Sequence, residues 1–188
     1  MYFAAFSKTP EAYDLYRFAS PNYDNSKYVQ KNGKLYNSID ELSDTNLRND
    51  IKDRVKKDSG KDDCKVLRLN ASSSMAAKIK ASSEFVDFIL SNPELLKPNG
   101  FVQQKNIEFF RSSDLYNALH GALIKNARTD TKGNLSLRVE DFWDFNAGRT
   151  SVRGRIGEKL QNQGVLENFY IIIDIKIPAN ELNVYNQN

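Results

Sequence analysis

The spacing of apolar residues changes along this chain, and each spacing predicts an element. The clearest stretch alternates. ALIKNARTD (122–130) and NLSLRVEDF (134–142) read as two strands joined by Thr131-Lys132-Gly133, a hairpin whose glycine supplies a left-handed backbone. In the second run Leu135, Leu137, Val139 and Asp141 fall on one face, and Ser136, Arg138 and Glu140 on the other. A face of three aliphatic residues thus ends in a carboxylate. Burying that group unpaired is costly, so Asp141 is expected at a pocket rim. Arg138, on the opposite face, is expected to tolerate replacement.

Beyond the hairpin, Asn146-Ala147-Gly148 reads as a turn. Thr150 or Ser151 then caps a helix with Val152, Ile156 and Leu160 along one stripe, and Gly164 ends it. ENFYIIIDIKIP follows as a closing strand, stopped by Pro178. Upstream, Thr9-Pro10-Glu11 opens a helix through AYDLYRFA. Residues 20–37 are polar and turn-rich, with Asn32-Gly33 as a tight turn. Ser38 to Glu41 forms a capping box, predicting a helix that restarts at Ser43 and runs to about Lys57, solvated around most of its surface. KVLRLN predicts a strand, SSSMAAKIKA and SSEFVDFILSNPELL two helices, IEFFR a strand, and SDLYNALHG a helix with Ser113 at its cap. The fold class is α+β: N-terminal helices packed with a C-terminal antiparallel sheet of hairpin, helix and strand. Residues 1–62 are expected to be a helical or irregular lead-in, and 63–188 the domain that carries the chemistry.

Composition narrows the chemistry. The chain has 188 residues, enough for a core without staples, and its net charge of +3 is too small to imply nucleic acid by itself. No apolar run approaches the roughly 18 residues of a membrane helix, and the N-terminus lacks the basic region of a signal peptide. Cys64 is the only cysteine and reads as a surface thiol; His120 is the only histidine. Zinc sites built from several such ligands are excluded, leaving hard cations held by oxygen.

One segment concentrates the remaining chemistry: VEDFWDFNAGRTSVRGR, residues 139–155. Asp141 and Asp144 flank Trp143, the only tryptophan, and Arg149, Arg153 and Arg155 follow. Two converging carboxylates hold Mg²⁺ or divide a general base from a charge-stabilising role. A helix start with arginines in its first turns grips phosphate oxygens. The combination suits phosphodiester or pyrophosphate chemistry better than acyl transfer. A structural alternative stands beside it: Asp144 pairs with Arg149 or caps the turn, Asp141 answers an arginine on a neighbouring strand, Trp143 and Phe145 anchor the core, and His120 is a buried, hydrogen-bonded histidine.

Asp141-Phe142-Trp143-Asp144-Phe145 resembles the acid-any-Tyr-Asp-Phe signature of the colicin M family of bacterial toxins, with Trp143 in the tyrosine's place. The order of elements over about residues 113–178 is also similar. The family's signature continues to a His-Arg pair, where this chain has Arg149-Thr150-Ser151. The resemblance implies a Mg²⁺-dependent phosphodiesterase that cleaves the peptidoglycan precursor lipid II between lipid and pyrophosphate. Asp144 would be the essential carboxylate, Asp141 its metal-binding or base partner, Arg149 a pyrophosphate contact, and His120 a further catalytic candidate. Trp143, Arg153 and Arg155 would bind substrate. It further implies a toxin delivered by a larger protein to the target periplasm, countered by an immunity protein. Two other classes remain open: a non-enzymatic module of a phage or secretion system, and a nuclease or RNA-binding toxin domain. Against the last, no nucleic-acid partner is expected, because the single basic stretch has no interleaved aromatic residues.

Overall fold

The computed structural model describes residues 10–22, 24, 26–110, 113–119, 121–144, 159–182 and 184–185. The fold is α+β. Its longer helices are α1 (Pro10–Phe18), α2 (Ser26–Asn32), α3 (Thr45–Ser59), α4 (Ser74–Ala81), α5 (Ser83–Leu90) and α6 (Ser113–Leu119). The strands are β1 (Gly33–Tyr36), β2 (Lys65–Leu69), β3 (Phe101–Glu108), β4 (Gly121–Thr129), β5 (Leu135–Trp143) and β6 (Phe169–Ile177). They form one six-stranded sheet in the order β1-β2-β6-β5-β4-β3, with β3, β4 and β5 antiparallel. Among the described residues no helix is long and apolar enough to cross a membrane.

By contact the chain divides into two units whose boundaries fall inside α1, β2, β5 and β6. The first comprises Met1–Tyr13, Leu69–Asp141 and Ile172–Asn188, the second Asp14–Arg68 and Phe142–Ile171.

In the first unit the β4–β5 hairpin forms where alternation places it. Gly133 has φ +85°, and the Asp130 carboxylate accepts from the Lys132 and Asn134 backbone N–H groups at 2.8 and 2.9 Å, which closes the turn. One irregularity matters. Lys125 pairs with Arg138 but Arg128 pairs with Ser136, so β4 carries an extra residue there, and Asn126 takes a left-handed φ of +50°. The bulge changes the phase of the strand. Ile124 is buried before it; Ala127 and Thr129 are buried after it, while Asn126 and Arg128 are exposed. Without the bulge, strict alternation would carry Asn126 and Arg128 onto the face of Ile124.

β5 corrects the sequence reading. Glu140, on the face expected to meet solvent, is fully buried. Its carboxylate meets Arg138 Nε at 2.8 Å and lies 3.9 Å from the nearly buried Lys125 ammonium. Arg138 is therefore the partner of a buried charge rather than a neutral surface position. At the unit's other end, Lys78 on α4 bridges Glu11 of α1 and Asp114 of α6, and Glu11 is buried. Burial acts against the Lys78 charge, but the Asp114 and Glu11 carboxylates outweigh it and hold the ammonium pKa above its usual value.

Three other elements depart from the sequence reading. The capping box at Ser38 makes a single 3-10 turn, Ile39–Glu41, and Asp44 caps α3 by accepting from Leu47 N–H at 3.1 Å. α3 is not solvated all round: Leu47, Ile51 and Val55, one turn apart, are buried. Residues 26–36, read as turn-rich, make α2 and β1, and the strand expected at IEFFR is β3, which begins six residues earlier.

Replacing Arg138 tests the buried charge. Arg138→Ala leaves Glu140 without its closest cation and should cost on the order of 3 kcal/mol, read by urea denaturation. A midpoint equal to that of the unmodified protein would mean that the arginine is a surface residue after all.

Candidate functional site

The candidate site is the end of β5, in the second unit. The strand's polar–apolar alternation fails here because Phe142 and Trp143 are buried in succession. Phe142 stacks on Tyr170, ring centroids 6.4 Å apart, and Trp143 packs on Phe169 at 5.4 Å. Phe18 meets the same Phe169 edge-on at 4.9 Å. These aromatic contacts hold the end of β5 against the start of β6.

Asp144 is the first residue beyond the strand. Its backbone N–H turns back to the Phe142 carbonyl at 3.1 Å, and its carboxylate Oδ1 accepts from Asn168 Nδ2 at 3.1 Å. The contacts Phe142–Tyr170, Trp143–Phe169 and Asp144–Asn168 step in opposite directions along the two segments, as antiparallel neighbours do. Asn168 is itself buried, and its amide oxygen has no hydrogen-bond partner. The residue before it is held twice: Glu167 N–H donates to the Ala19 carbonyl at 2.8 Å, and the Glu167 carboxylate pairs with Lys65. A half-buried carboxylate thus sits beside a buried amide oxygen that lacks a donor. Both are hard oxygen donors of the kind Mg²⁺ takes. Among the described residues no group of three or more His, Cys, Asp and Glu is spaced to hold a metal ion.

A groove of about 510 Å³ opens in the same unit. It includes Phe18, which packs on Phe169, and Lys65, which pairs with Glu167; these contacts flank Asn168 on both sides. Val29, Leu35 and Pro21 give it an apolar wall.

Of the residues named from sequence, Asp144 is at this site and Trp143 is 9% exposed beneath it, packed on Phe169. Asp141 lies half-buried within β5. Arg149, Arg153, Arg155 and His120 lie outside the described residues. Asn168 was missed. It lies in a short stretch, GVLEN, and only its place immediately before the apolar run FYIII marked it as a strand-end residue. No family model, no curated protein and no solved structure matches this chain.

Cys64, expected as a surface thiol, is half-buried. Burial, reinforced by the neighbouring Asp63 carboxylate, raises its pKa from 9.0 to about 12, against a lowering by a hydrogen bond with the Tyr170 backbone. The folded protein keeps this thiol protonated at neutral pH. From pH 9 towards 12 the unfolded chain ionises first, so the thiol's contribution to stability is present below pH 9 and lost as pH rises through that window. At pH 8 the native thiolate is roughly a thousandfold scarcer than in a free thiol, partly offset by its greater nucleophilicity, so alkylation should be on the order of 30-fold slower. Iodoacetamide labelling followed by mass spectrometry checks this. A rate equal to that in urea would show the thiol to be exposed.

Proposed function

We propose that this chain is a hydrolase of a lipid-linked pyrophosphate, with lipid II of peptidoglycan synthesis as its substrate. The observation that carries the reading is the half-buried Asp144 carboxylate beside the buried amide oxygen of Asn168, with the arginine-rich stretch 149–155 following directly in the chain. The resemblance to the colicin M signature supports the choice of substrate. The groove that shares Phe18 and Lys65 has an apolar wall, which suits a polyprenyl tail, and a lysine, which suits the charge at its head.

In this reading Asp144 and the Asn168 side-chain oxygen are the residues that would hold Mg²⁺, and the ion would supply neutralisation of pyrophosphate charge. The Asn168 amide N–H orients Asp144 by donating to one of its oxygens. Arg149 meets the charge that develops on phosphorus-bound oxygen. Phe142 and Trp143 take no chemical part; they exclude water from beneath the carboxylate and fix where it emerges.

The same hydrogen bond also favours a second reading, a non-enzymatic module in which Asp144 only ties β5 to β6. Asp144→Asn separates the two. It keeps the shape and one acceptor oxygen but removes the charge. The hydrolase reading expects lipid II turnover with Mg²⁺ to fall by a factor of about 100 or more, with thermal stability nearly unchanged. In cells, periplasmic expression of the unmodified chain should cause lysis that the variant does not. Turnover absent from the unmodified chain, or equal in both proteins, would remove the enzymatic reading. Toxicity confined to the cytosol would point to a nuclease.

A further inference from the structure

We propose that the groove lined by α5 and β3 binds a neutral saccharide, with one pyranose ring stacked on Phe110. The groove lies wholly within the first unit and stands independently of the hydrolase reading. It holds about 290 Å³, near the small end of the roughly 300–1,000 Å³ that ligand pockets span. A space of that size takes a sugar ring and leaves the rest of a short chain in solvent.

Phe110 sets the class of ligand. It lines the groove and is 62% exposed, the most exposed large apolar side chain among the described residues. The Tyr116 ring stands beside it, centroids 6.1 Å apart. A flat aromatic face in water gains most from a flat apolar partner. A pyranose with equatorial substituents supplies one: its axial C–H bonds make an apolar plane, and its hydroxyls project around the rim.

The groove also holds polar groups to meet those hydroxyls. Asn92 is 8% exposed, yet it lines the groove. Its amide nitrogen donates to the Phe88 carbonyl at 2.6 Å, which fixes the side chain. Among the described residues nothing donates to its side-chain oxygen, so a positioned acceptor is left for an occupant. Lys105 and Asn106 line the groove from β3, and among the described residues their side chains make no hydrogen bond or ion pair. The ammonium donates, and the Asn106 amide both donates and accepts.

The same residues disfavour other ligands. A purely apolar molecule would strip water from Asn92, Lys105 and Asn106 without replacing the hydrogen bonds lost. A small anion would meet the Glu108 carboxylate, and a small cation the Lys105 ammonium, since both line the groove. A neutral polyol has a donor and an acceptor in every hydroxyl, so it answers each of these groups.

The test titrates the whole ¹⁵N-labelled protein with cellotriose and with chitotriose, whose rings carry equatorial substituents. Sorbitol serves as a polyol without a ring. At least one trisaccharide should move the Asn92 and Asn106 side-chain amide resonances saturably, and sorbitol should not. Phe110→Leu keeps an apolar side chain but loses the flat face, so it should weaken binding at least tenfold; Phe110→Tyr should retain it. Phe101→Ala removes another exposed ring of β3, one outside the groove, and should leave binding unchanged. Failure of both trisaccharides overturns the proposal, as does equal binding of sorbitol. Undiminished binding by Phe110→Leu, or loss in Phe110→Tyr as well, shows that the ring face does not decide and overturns it. Shifts that leave the Asn92 and Asn106 amides unmoved, or that Phe101→Ala abolishes, overturn it by placing the sugar elsewhere.

Discussion

Trp143 packed on Phe169 is the contact on which the candidate site depends. It continues the burial of β5 one residue beyond the point where a half-buried strand would expose a side chain, so the chain can turn out of the sheet only at Asp144. It also sets the register at the start of β6: once Trp143 faces Phe169, Asp144 faces Asn168. Phe18, edge-on to Phe169, extends the aromatic group back to α1, and the Ala19 carbonyl accepts from Glu167 beside it. A carboxylate placed in this way is positioned by a packed core rather than by a loop, the arrangement that holds a reacting group to a fraction of an ångström.

Much of this architecture was legible in the chain. The hairpin was, because alternation and a turn glycine act within neighbouring residues and Gly133 does take a left-handed φ. The helices expected at SSSMAAKIKA and SSEFVDFILSNPELL were legible for the same local reason, and Ser73 and Ser82 cap them. What was not legible depends on residues distant in sequence. Glu140 looks like a solvent-facing strand residue until Lys125 and Arg138 are seen beside it, and a charged residue at an alternating position carries no sign of whether its face is covered. Likewise, three apolar residues one turn apart among many Lys and Asp gave α3 a buried stripe too narrow to stand out.

At the site itself, Asp144 was legible from its company and Asn168 was not. An acid beside the only tryptophan and ahead of three arginines is an unusual concentration. An asparagine before an aliphatic strand is ordinary, and only the pairing 24 residues back along the chain gives it a role. The bulge at Asn126 belongs between these cases. KNAR offers an asparagine, the side chain that tolerates a left-handed backbone, but nothing local says that the strand must change phase there.

The central claim is that Asp144 and Asn168 together form a site for a hard divalent cation. Titration of the ¹⁵N-labelled protein with Mn²⁺ tests it directly, through paramagnetic broadening of amide resonances. The account predicts that the Asn168 side-chain amide and the Asp144 backbone broaden first, that Mg²⁺ restores them by competition, and that Asp144→Asn abolishes the effect. Broadening confined to exposed carboxylates such as Asp58 and Asp62, with Asn168 unaffected, would contradict it.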